Sequence, residues 1–250
     1  MDIAELKSFL DEKTRLYQTS SFIGDDPISI PHSFTKKEDI EVSGILSSII
    51  AWGNRKAIIK SCKVMMELLD NDPYNFMMES SDGDFKALEK FVYRTFQKDD
   101  LPGVIKGLKH IYANGGLESL MSVNANGSVY DSIIRFRNAI IPHLNMRTHK
   151  HIADVERGAA AKRINMFLRW MVREGGVDFG IWKGIKPSQL MLPLDVHSGN
   201  TSRALGILIR KQNDWKAVDE VTSFLRQLCP EDPVKYDFAL FGLGVYEHFK

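Results

Sequence analysis

Only two cysteines, Cys62 and Cys229, occur in 250 residues. That is too few for a disulfide framework or for a four-cysteine zinc or iron–sulfur site. No apolar run approaches the length needed to span a bilayer. The opening residues, Met1 to Lys7, bring Asp2 and Glu5 at once and lack the basic-then-apolar pattern of an export signal, so a cytoplasmic address is expected. Strand-like alternation is nowhere sustained, and no internal repeat or low-complexity segment interrupts the chain. With hydrophobic residues at 44% and charged residues at 26%, the composition excludes disorder and a membrane-embedded fold. The length suffices for one large domain or two interlocked small ones.

Net charge is also scarce, at +1, but its distribution is uneven. Residues 1–100 hold 13 Lys and Arg against 18 Asp and Glu, whereas residues 101–250 hold 20 against 14. Between Arg147 and Lys211 there are 12 basic and 5 acidic residues. A basic stripe on a neutral protein is what local phosphate contact needs, and an ordinary solvated surface has the same composition.

What the sequence does have is helical periodicity. Asp2–Tyr17, Val42–Ile50, Ile58–Leu69, Phe85–Phe96, Leu101–Ala113, Val129–Ile141, Ala160–Arg173, Gly199–Lys211, Lys216–Leu228 and Pro233–Phe249 each place apolar residues at helical spacing. The fold class expected is therefore all-α. In the helix from Ala160, the stripe Ile164, Phe167, Leu168, Met171 and Val172 reads as the buried face. At about 100° per residue, Lys162, Met166, Arg169 and Arg173 share the opposite side, which reads as a solvated basic face carrying one methionine.

Two segments resemble the helix-hairpin-helix DNA glycosylase superfamily. Met191-Leu192-Pro193-Leu194-Asp195-Val196-His197, followed by Arg203-Ala204-Leu205-Gly206, is similar to the segment carrying that superfamily's catalytic aspartate, most of all in its 8-oxoguanine branch. Ala161-Lys162-Arg163-Ile164-Asn165 resembles the helix start that carries its nucleophilic lysine. Gly44–Asn54 resembles the first barrel helix, and Tyr236–Phe241 the helix that closes the damaged-base pocket. The chain as a whole is also similar to a bacterial family of conserved hypothetical proteins. The hairpin departs from the superfamily pattern, since Asp154–Ala160 offers one glycine, Gly158, and two acids. The stretch Gly175–Pro193 lengthens the lysine-to-aspartate spacing and is expected to loop out.

The resemblance implies two interlocked helical subdomains, a central barrel with a degenerate hairpin over residues 36–190 and a second subdomain from residues 1–35 and 191–250. It implies a base-excision glycosylase and abasic-site lyase acting on an oxidised purine of the 8-oxoguanine type in double-stranded DNA, without metal or cofactor. Asp195 would stabilise the cationic sugar of the transition state, and the Lys162 amine would attack C1′ to form a Schiff base. Met166 and Phe241 would sandwich the extruded base, and Asp237 would accept hydrogen bonds from its edge. Asn54 and Arg55 would fill the vacated space in the duplex, while Gly158, Arg163, Arg169, His197 and Arg203 would contact phosphates. Such a protein would associate with the nucleoid.

Each residue also has a plainer reading: Lys162 as a phosphate contact, Asp195 as the cap of the helix after it, Asp237 as an exposed helix residue, Phe241 as core, and Gly53-Asn54 as a turn. The Asp195–His197 spacing invites a metal, but no second cluster of ligands accompanies it. Two other classes of function stay open: a non-catalytic binding protein for damaged or kinked nucleic acid, and a structural protein on a related helical scaffold.

Overall fold

The structure is a computed structural model describing residues 1–124 and 127–249. Among the described residues the fold is all-α, with no strand beyond isolated bridges such as Tyr93 with Phe96 and Glu174 with Phe179. The helices are α1 (Ile3–Tyr17), α2 (Ser21–Gly24), α3 (Lys37–Ile49), α4 (Arg55–Leu68), α5 (Pro73–Glu79), α6 (Asp82–Ala87), α7 (Asp100–Ala113), α8 (Gly116–Met121), α9 (Val129–Ile140), α10 (Lys162–Val172), α11 (Val196–Ala204), α12 (Trp215–Leu228) and α13 (Asp237–Val245). None of them is long and apolar enough to cross a membrane.

The chain forms two compact units, one of residues 1–22 and 154–250 and the other of residues 23–153. The sequence suggested 36–190 against the two ends, so residues 23–35 and 154–190 group differently from that expectation. For residues 154–190, ion pairs tie the segment to the C-terminal part of the chain. Arg173, the C-cap of α10, pairs with Asp232, and Arg169 within the helix pairs with Asp237, both in the C-terminal segment.

In the unit of residues 23–153, α3 is buried on almost every side, with Val42, Ile45, Leu46, Ile49 and Ile50 at 1% exposure or less. It is the central post around which α4 and α5 pack. Asn54 caps α4, its Oδ1 accepting from the Ala57 amide at 3.1 Å. The helix expected over Phe85–Phe96 stops at Ala87, and the chain then closes a tight turn in which Tyr93 and Phe96 exchange both backbone hydrogen bonds. Arg94 at that turn takes a φ of 55°, a conformation helical periodicity does not report.

In the unit of residues 1–22 and 154–250, α10 and α13 form the core, flanked by α1 and α11. Glycine is what lets α13 approach so closely: a Cβ on Gly242 would lie 2.1 Å from Tyr17 Cδ2, and one on Gly244 would lie 2.9 Å from Thr201 Oγ1. Gly175–Pro193 does not loop out. Val177, Trp182, Ile185, Leu190 and Leu192 are all at 2% exposure or less, and Trp182 meets Phe167 edge-to-face at 5.3 Å. The Phe179 and Trp182 amides donate to the carbonyls of Trp170 and Met171 at 2.8 and 2.9 Å, so the segment satisfies the otherwise open end of α10. The helix expected over Gly199–Lys211 begins earlier and ends at Ala204, where Gly206 turns the chain with a φ of 73°.

Candidate active site

The site is built on the first turns of α10, α11 and α13. Ala161, at φ 50°, is the left-handed residue that turns the chain into α10 and leaves Lys162 at its first position. Before it, residues 155–158 make a turn closed by the Gly158 amide on the Val155 carbonyl at 2.9 Å, with Gly158 at φ 86°. The single glycine of residues 154–160 thus serves the conformation only glycine adopts readily.

Asp195 is the N-cap of α11. Its Oδ1 accepts from the Ser198 amide at 2.9 Å and from the Ser198 hydroxyl at 3.1 Å, while Ser198 Oγ accepts from the Asp195 amide at 2.9 Å. This reciprocal cap fixes the carboxylate, and its other oxygen, Oδ2, lies 3.6 Å from Lys162 Nζ. The lysine side chain is 33% exposed and the aspartate 17%, so the pair is partly desolvated and still reachable.

Asp237 opens α13 and is 6% exposed. Burial pushes its carboxyl up from 3.8 to about 6; Arg169 opposes that rise, Asp195 adds to it, and Lys162 opposes it more weakly. The three charged groups at the starts of these helices therefore share one electrostatic neighbourhood. Phe241, one turn further along α13, is half-buried, with its ring 6.4 Å from the exposed His197 ring. Met166 is buried at 7%.

The reading of α10 as amphipathic with a solvated basic face is corrected. Arg169 is 4% exposed and Arg173 2%. Arg169 pairs with Asp178 at 3.2 Å, donates through Nη1 to Asp237 Oδ2, and lies 4.5 Å from the Phe238 ring centre. Arg173 bridges Asp178 at 2.6 Å and Asp232 at 2.8 Å. Arg169 is thus a buried counter-ion and presents nothing to a phosphate. Asp178, which both arginines share, and Asp232, the further partner of Arg173, sit in connecting segments, where no local pattern announces them.

Arg203 is likewise engaged internally, donating to the Arg210 carbonyl at 2.8 Å and to Asn213 Oδ1 at 2.6 Å. Arg163 is half-buried, and burial draws its guanidinium down to about 10. Asn54 and Arg55 belong to the unit of residues 23–153, where Asn54 has the capping role described above. Asn213 was not singled out by sequence; its Nδ2 donates to the Asp195 carbonyl at 2.9 Å. Among the described residues no group of three or more His, Cys, Asp or Glu is placed to hold a metal ion.

A lysine amine facing a helix-capped carboxylate can exchange a proton and attack an electrophilic carbon held between them. No curated protein and no solved structure matches the chain. One family model does, across residues 26–246, which takes in the whole constellation. The chain belongs to that family, DUF2400, described as a protein of unknown function.

Proposed function

We propose that this protein is a DNA glycosylase and abasic-site lyase that excises an oxidised purine, of the 8-oxoguanine type, from double-stranded DNA. The observation that carries the reading is the 3.6 Å approach of Lys162 Nζ to an Asp195 oxygen that the helix cap leaves unclaimed. Breaking an N-glycosidic bond builds positive charge on the sugar, and a carboxylate there stabilises the transition state more than the ground state. Asp195 Oδ2 takes the proton that the Lys162 ammonium must lose. The Nζ–C1′ bond forms as the glycosidic bond breaks, and the departing purine takes the proton from Asp195, which is thereby a carboxylate again beside the sugar. Opening of the sugar ring, with the nitrogen's proton passing to O4′, gives the Schiff base; loss of a C2′ proton to water then expels the 3′ phosphate and cleaves the strand, and hydrolysis of the imine frees Lys162.

Met166 and Phe241 supply apolar and aromatic surface for the extruded base, and Asp237 reads its edge. Because Asp237 Oδ2 is engaged by Arg169, a single oxygen remains to accept from the base, one fewer than a free carboxylate offers. His197 is the exposed donor beside Asp195 for a phosphate.

Borohydride trapping on duplexes carrying 8-oxoguanine or an abasic site tests the proposal. Covalent capture that vanishes in Lys162→Gln is the expected result. Salt-sensitive duplex binding with no capture by the wild-type protein gives the alternative, a non-catalytic binder of damaged or kinked DNA. No binding at low salt removes both.

A further inference from the structure

We propose that Asn213 is a positioning residue for Asp195, held in place by Arg203 in the space that Gly199 leaves open. The inference rests on the glycosylase reading for its kinetic part and on geometry alone for the rest.

The Asp195 carbonyl receives two hydrogen bonds at 2.9 Å, one from the Gly199 amide as the first bond of α11 and one from Asn213 Nδ2. Together they fix the peptide plane that follows Asp195. That plane sets the ψ of −169° at the residue from which the carboxylate projects. Asn213 is itself oriented by Arg203, whose Nη2 donates to Asn213 Oδ1 at 2.6 Å while its Nε donates to the Arg210 carbonyl at 2.8 Å. With Arg203 donating to the oxygen, the Asn213 amide group must present its nitrogen to Asp195.

Gly199 is the independent sign of this arrangement. A Cβ there would stand 2.9 Å from Asn213 Oδ1 and 3.0 Å from both Arg203 Nη1 and Asn213 Nδ2. Any larger residue would displace both side chains. Glycine within a helix otherwise costs stability relative to alanine, so its presence in α11 is matched to the side chains that cross it.

The clamp predicts a specific pattern. Asn213→Ala should slow single-turnover release of 8-oxoguanine about tenfold, because a carboxylate no longer held in register meets the sugar less often in productive geometry. Duplex affinity should stay at the wild-type level, and capture of a ready-made abasic site, where Lys162 attacks and no glycosidic bond has to break, should fall far less than base release. Gly199→Ala should produce the same slowing while the thermal midpoint holds or rises, since alanine is the better helix former. The double variant should be no slower than either single one, because both remove the same contact. Multiplied effects in the double variant, or base release unchanged in Asn213→Ala, overturn the proposal.

A measurement independent of substrate keeps the two readings apart. Amide exchange at Ser198, whose N–H is held by Asp195 Oδ1, should quicken in Asn213→Ala while the amides of Thr201 and Ser202 keep their protection. Unchanged Ser198 exchange overturns the clamp whether or not any lesion is turned over. Quickened exchange in a protein that releases no base retains the clamp and removes the glycosylase reading.

Discussion

Asp100 and Asp195 each stand at the head of a helix, one in each compact unit, and they are used differently. Asp100 is fully buried. It accepts a forked pair of hydrogen bonds from Arg147 at 2.7 and 2.9 Å, another from the Gln97 amide at 2.6 Å, and one from the Thr148 hydroxyl, with His151 Nε2 at 3.5 Å. Asp195 gives one oxygen to its helix and turns the other toward a lysine 3.6 Å away. A carboxylate whose acceptor positions are all filled can hold a fold together and do little else. One that retains an uncommitted oxygen beside an amine is placed to move a proton.

The comparison breaks most visibly at the lysine. Lys162→Gln should abolish borohydride capture, a loss of at least about a hundredfold, because it removes the proposed nucleophile. Duplex affinity should barely change, and retained lyase activity would show that the chemistry lies elsewhere. On the saturated side, Asp100→Ala strands Arg147, Thr148 and the Gln97 amide together. Chemical denaturation should report about 3 kcal/mol lost, moderated by the partial exposure of Arg147. If the loss is below about 1 kcal/mol, filled acceptor positions are not what stabilises that turn.

Asp195→Asn sharpens the contrast, since asparagine caps helices nearly as well as aspartate. Stability should hold within about 1 kcal/mol while base release slows by roughly a hundredfold. Equal damage to folding and to rate would make Asp195 another Asp100. The smallest effect is a slope with pH. Because burial raises the Asp237 carboxyl from 3.8 to about 6, the folded state favours its protonated form. The stability this contributes is complete below pH 4 and is lost as the pH rises through 6. Denaturation midpoints across pH 4–7 should show that decline in the wild type and its absence in Asp237→Asn.

Much of this organisation was legible in the sequence, and the exceptions share a cause. The all-α class and helices such as α1, α7 and α12 follow from apolar spacing that each segment carries within itself. The capping role of Asp195 was likewise local, an aspartate three residues before a serine. Arg169 and Arg173 were read as solvated because their phase on α10 opposes the apolar stripe. What neutralises them is Asp178, just past the helix, and Asp232 and Asp237, 59 and 68 residues on from the arginines they meet, none of them visible to the periodicity of α10. The segment Gly175–Pro193 was read as outlying for the same reason. Its Trp182 and Leu190 have no helical pattern, and their burial depends on covering the end of a helix already formed. Lys162 and Asp195 were singled out through family resemblance, since nothing local distinguishes that lysine from its neighbours.

The packing of α1 against α13 carries a consequence for synthesis. Tyr17 fills the space that Gly242 leaves, yet roughly 220 residues separate the two along the chain. At about 5–20 residues per second, α1 leaves the ribosome roughly 10 to 45 seconds before the helix it packs on exists. Residues 23–153 have all their own unit in hand long before that moment. Leu6 and Leu10, buried in the finished protein, spend the interval without that helix. The site that joins Lys162, Asp195 and Asp237 is thus completed only once α13 has been made, well after residues 23–153 have had time to fold.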